Sequence, residues 1–176
     1  AAAVMAGSFG PRLGGYLGWG REGLRRLEEW AQAAGISVPG PAHTRAYYLV
    51  CGGERQEAAT ILEEAADHYA AKPEETQHVF GALLLLLETA VLAKHTRATE
   101  ILSNLLVGAV YKTTGMQNPT CVARHLGGAA ALLGRHEDAR KYYGEAIKVC
   151  TEMRFRPELA LTRLQLAELL LGHYPK

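Results

Sequence analysis

Between residues 118 and 153 apolar and polar positions recur with the period of an α-helix, in two blocks separated by a short polar turn. Leu126, Ala130 and Leu133 fall on one helical face, and Gly134 supplies the residue that can end the helix in a left-handed conformation. Asn118 is placed to cap this helix, with Pro119 in its first turn, where a missing amide hydrogen costs nothing. After "GRHED" a second face forms from Ala139, Tyr143, Ala146, Ile147 and Cys150, so the two helices can pack antiparallel across a tight connection.

The same arrangement recurs upstream. Ala58 with Leu62, Ala98 with Leu102 and Ala139 with Tyr143 each set a small residue one turn before a large one; Ala58 to Ala98 is 40 residues and Ala98 to Ala139 is 41. A register this constant marks repeated helical hairpins. Gly23 and Leu27 form a fainter copy, 35 residues before Ala58. The alternating β-branched pattern of strands is nearly absent. The expectation is therefore an all-α chain, an α-α superhelix of about four antiparallel hairpins plus one terminal helix. The approximate repeats are residues 1–35, 41–71, 74–112 and 118–153, with a final helix over 157–172, in a single helical-repeat domain spanning 1–176.

The segment "HLGGAAALLGRHEDARKYYGEAI" resembles a tetratricopeptide repeat. The resemblance rests on Leu126-Gly127 in the first helix, Gly134 at its end, and Ala139, Tyr143 and Ala146 on the second, the small residues letting two helices approach closely. The earlier repeats lack the Leu-Gly pair and exceed the family's period of about 34 residues, as longer helices would require. Together with this repeat, the tail "RFRPELALTRLQLAELLL" resembles the helical-repeat region near the C-terminus of bacterial signalling ATPases, which carry either a LuxR-type DNA-binding domain or a class III adenylate or guanylate cyclase. The resemblance implies a non-catalytic module of a signal-transduction or transcription regulator, with the last helix opening a further repeat. No Walker lysine loop and no cyclase aspartate pair is present in the segment.

Composition agrees with a packed core: 48% of the 176 residues are hydrophobic. Nineteen Lys and Arg against eighteen Asp and Glu are scattered along the chain, leaving a net charge of +1, so no phosphate-binding stripe forms and direct nucleic-acid binding is not expected. Cys51, Cys121 and Cys150 are odd in number and contain no C-x-x-C pair, which fits small buried residues in a reducing cytoplasm. The apolar run Val79–Leu87 ends at Glu88, well short of the roughly 20 residues a membrane span needs. The opening "AAAVMAGSFG" has neither the basic region of a secretory signal nor an initiator methionine, so the chain is expected to be part of a longer one.

Candidate chemistry is sparse. "GPRLGGYLGWG" lacks the G-K-[ST] ending of a phosphate loop; a helix broken at Pro11, with Gly18 and Gly20 in the turn before Arg21 and Trp19 and Trp30 as packing residues, accounts for it. His125 and His136 flank a turn without a second ligand at helical spacing, so no metal and no cofactor is expected. Glu28-Glu29, Glu63-Glu64 and Glu74-Glu75 are sequence neighbours and point to different azimuths, as solvating residues do. No flanked nucleophile stands near a base, and an enzyme is not expected.

In stacked hairpins the first helices line the inner wall, the usual contact surface for a peptide or neighbouring domain. Counting back about ten positions from each turn selects His43, Tyr47, Leu83, Leu87, Arg124, Gly128, Thr162 and Leu166 as candidate concave-face contacts. Plain packing between helices is the competing account of Leu83, Leu87 and Leu166. The expected partner is a protein or peptide, or another domain of the same chain. Two alternatives stand beside it: a small effector held around Tyr47, Leu83 and Arg124, and a homodimer formed through Leu164, Leu166, Leu169 and Leu170 on the last helix.

Overall fold

The structure, a computed structural model, describes residues 12, 14–15, 17–35, 42–109, 111–114 and 120–174, and the side chains of these except Gln77 and His78. Eight α-helices can be bounded among them: α1 (Gly20–Ala33), α2 (Ala42–Gly52), α3 (Arg55–Ala71), α4 (Phe80–Ala93), α5 (Thr96–Leu106), α6 (Val122–Leu132), α7 (His136–Glu152) and α8 (Arg156–His173). A 3₁₀ segment, Pro73–His78, leads into α4. Apart from the isolated bridge between Thr113 and Cys121, no extended pairing occurs among the described residues, and the fold is all-α. The chain divides into two compact units, residues 1–102 and 103–176, with the division falling inside α5.

In the first unit α2 packs against α1, α3 and α4. The stripe Ala58, Leu62 and Ala66 on α3 is fully buried, as its four-residue spacing requires of a helix covered on one side. The α4 helix is different: every residue from Leu83 to Ala90 is buried, so it is enclosed on all sides rather than along a stripe. Small residues set the approach of α1 to α2. A β-carbon on Gly23 would lie 2.3 Å from the Tyr48 ring, and one on Gly20 would lie 2.3 Å from the Gly52 amide nitrogen. Gly20 is thus a packing residue that opens α1 against the backbone of α2, while Gly18, at φ +73°, takes the turn alone. Trp19 is 51% exposed and is not the packing residue its size suggested; Pro11 lies outside the described residues.

Four helix ends share one hydrogen-bond pattern. Gly53, Lys94, Gly134 and Arg154 all have positive φ. Each donates its amide to the carbonyl three residues back, at 3.1 Å, and the next amide reaches five back: Glu54 to Leu49, His95 to Ala90, Arg135 to Ala130 and Phe155 to Cys150, at 2.8–2.9 Å. This closes the last turn and releases the chain for a new helix two residues later. The turns at 53, 94 and 134 keep the register read from Ala58, Ala98 and Ala139, which are all fully buried. Glycine adopts this conformation without strain, whereas Lys94 (φ 58°) and Arg154 (φ 55°) do not. Lys94→Gly and Arg154→Gly are each expected to stabilise the fold by about 0.5–1 kcal/mol, read as a higher melting temperature. An unchanged or lower one would show that these side chains hold the turn.

In the second unit α7 packs against both α6 and α8. Gly127 lets α6 and α7 close together: a β-carbon there would meet the Tyr143 ring at 2.7 Å. The Gly134 ending is as expected, but the start of α6 is not. Asn118 and Pro119 lie outside the described residues, and the helix begins only at Val122, with Cys121 extended at its N-cap. The reason is local pairing: the Val122 amide donates to the Lys112 carbonyl at 3.0 Å and the Thr114 amide to the Thr120 carbonyl at 3.1 Å, which holds residues 120–121 straight. On α8, Leu164 (56%) and Leu171 (84%) are exposed, but Leu169 is buried in a core of Ala130, Ala139 and Tyr143, and Leu166 packs against it. The face expected of Leu164, Leu166, Leu169 and Leu170 is therefore not one exposed patch.

Candidate functional site

The residues selected as an inner wall lie mostly inside the protein. Tyr47, Leu83, Leu87, Arg124, Gly128 and Thr162 are buried; His43 and Leu166 are half-buried. Burial lowers the His43 pKa, since the charged imidazolium loses more hydration than the neutral ring. Counting back from a turn selects one face of a helix, but α4 from Leu83 to Ala90 and α6 from Val122 to Ala130 are covered on every face. On such helices a position facing inward is a core position, not a contact surface.

Arg124 and Thr162 belong to a buried polar cluster built around Glu158, in the first turn of α8. The Glu158 Oε1 atom accepts from Arg124 Nε at 2.6 Å, from the Cys121 amide at 2.9 Å, and from the Thr120 hydroxyl. Thr120 Oγ1 also meets His125 Nε2 at 2.7 Å, and the Thr162 hydroxyl donates to the Glu158 carbonyl at 2.8 Å. Glu158, Arg124 and His125 are each 3% exposed and Thr120 is fully buried. A hydroxyl beside an imidazole has the distance of a nucleophile and its base. Here the hydroxyl is given to a carboxylate and no surface reaches it, so the cluster fastens the start of α6 to α8. Sequence reasoning placed Arg124 on a wall and did not single out Glu158, because an acidic residue in a first helical turn is ordinary at an exposed N-terminus. A second buried ion pair lies in the first unit, where Arg12 Nε meets Glu88 Oε2 at 2.6 Å.

Solvent reaches the second unit through a groove of about 210 Å³ formed by the end of α5, the segment after it, and α6 and α7. Leu106, Val122, Leu126 and Val149 form its floor, while Tyr111, Lys112 and Glu145 are exposed at its rim. Among the described residues no group of three or more His, Cys, Asp or Glu is placed to hold a metal ion, and no helix is long and apolar enough to cross a membrane. Compared with protein families, curated proteins and solved structures, the chain has no significant match.

Proposed function

We propose that the chain is a non-catalytic helical-repeat module of the tetratricopeptide-like kind, making protein contacts within a bacterial signal-transduction or transcription regulator in the cytoplasm. The observation that carries this reading is the recurrence of one turn geometry at residues 53, 94 and 134, each followed by a helix whose buried Ala sits four or five residues on. A chain that repeats one two-helix unit favours contact surfaces over a single enclosed reaction site. The partner is a peptide or another domain of the same regulator, and the open groove rimmed by Tyr111, Lys112 and Glu145 is where it docks.

The effector alternative concerns Tyr47, Leu83 and Arg124, which are all buried and do not line this groove; the groove itself, at about 210 Å³, is below the roughly 300–1,000 Å³ typical of small-molecule pockets. It suits one or two anchoring side chains. Homo-association is the second reading, favoured by the exposure of Leu164 and Leu171, seven residues apart on α8. Light scattering behind size exclusion checks it: a Leu171→Glu change should turn a dimer into a monomer.

The groove is tested by selecting peptides from a random library on the purified chain. Enriched peptides should share one large apolar anchor, and Tyr111→Ala combined with Glu145→Arg should weaken them at least about tenfold without moving the melting temperature. Binding that survives both changes would remove the groove as the contact site.

A further inference from the structure

Cys121 and Cys150 meet in the core of the second unit. Both are fully buried in one cluster with Ala123, Ala146 and Val149, and the half-buried Phe155 and Leu159 pack against it. The two side chains share this one buried cluster, and each thiol shifts the other's titration, as neighbouring groups in a core do. Cys121 is the N-cap residue of α6, and Cys150 lies in the last turn of α7. The two helices are joined at one end by the Gly134 turn, and both cysteines lie at the opposite, open end, in one cluster.

We infer that Cys121 and Cys150 form a dithiol–disulfide couple, oxidised by small disulfides, that locks the open end of the α6–α7 hairpin. This inference does not depend on the proposed function. Its link to that reading is positional: Val122, Ala123 and Val149, adjacent to the two cysteines, also line the groove.

The chemistry takes two exchanges. The Cys121 thiolate attacks one sulfur of the oxidant, forming a mixed disulfide and expelling the first small thiolate. The Cys150 thiolate then attacks the Cys121 sulfur, forming the internal bond and expelling the second. Two protons leave the protein, and the oxidant gains two electrons. The order follows from the surroundings. Burial raises both thiols, but the Ala123 and Arg124 amides offset part of the rise at Cys121, whereas Cys150 is pushed up to about 12 by burial and by its neighbour Cys121. In the closed fold both thiols are inert. Cys121 is held by the isolated bridge to Thr113 and by the Glu158 carboxylate that accepts from its amide, so parting these two attachments at the start of α6, rather than melting a helix, is what exposes the first nucleophile.

The test uses the full chain carrying Cys51→Ala, which removes the third thiol, incubated natively with oxidised glutathione. The expected product has lost the mass of two hydrogens and gives a Cys121–Cys150 linked peptide on digestion. Its melting temperature should be raised by about 5–10 °C, because a closed loop restricts the unfolded chain, and dithiothreitol should reverse the rise. Adding Cys150→Ala should halt the reaction with one glutathione on Cys121. A chain that keeps its mass, that stops at the mixed disulfide with Cys150 present, that cross-links only in denaturant, or that melts lower once linked would overturn the inference.

Discussion

Glu158→Ala is expected to destabilise the chain by about 3–5 kcal/mol, the cost of breaking a buried ion pair by removing one partner, seen in urea denaturation as a lower midpoint with an unchanged slope. The substitution leaves Arg124, 3% exposed, beside a cavity instead of a carboxylate. It also deprives the Cys121 amide and the Thr120 hydroxyl of their acceptor. The loss is therefore the penalty of stranded donors as well as the attraction of two charges. Changing both residues, with Arg124→Met and Glu158→Leu, should recover much of the stability, because neither charge remains buried. Recovery should be incomplete, since the Cys121 amide still lacks its acceptor, while the Thr120 hydroxyl keeps only His125. If the single change costs less than about 1 kcal/mol, as an exposed pair would, the assignment of Glu158 as a buried fastener fails.

Gly20→Ala is expected to cost about 3 kcal/mol, at the upper end of what overpacking costs. The added carbon would lie 2.3 Å from the Gly52 nitrogen and 2.5 Å from the Cys51 carbonyl carbon, backbone atoms that cannot rotate away. Separating α1 from α2 is the remaining escape, and it gives up the contacts of Leu27 and Ala31 in the core. Helix propensity opposes the effect by at most about 1 kcal/mol. Gly144, exposed in mid-helix on α7 with no atom within reach of an added carbon, is the internal control. Gly144→Ala should stabilise by about that propensity difference, and thermal melting of the two variants should move in opposite directions.

Both residues show where sequence reading stops. Gly20 read as a flexible turn residue because a glycine gives no sign of what its missing side chain would touch. Glu158 was not singled out because nothing in the local spacing distinguishes it from Glu22, whose carboxyl is held down to about 2 by hydrogen bonds from Arg25 and Arg26. The burial of the inner-wall residues was illegible for a related reason: periodicity selects one face of α4 and α6 but is blind to whether the other faces are also covered.

What the sequence by itself determined is the all-α class, the register of small and large residues at 58, 98 and 139, and the Gly134 ending, because each follows from interactions within a few residues of chain. What only the tertiary structure decided is the late start of α6, the burial of Arg124 with Glu158, and the meeting of Cys121 with Cys150, 29 positions further along. Those depend on pairings between distant segments, and local pattern carries no record of which distant group arrives to satisfy a donor, a charge or a thiol.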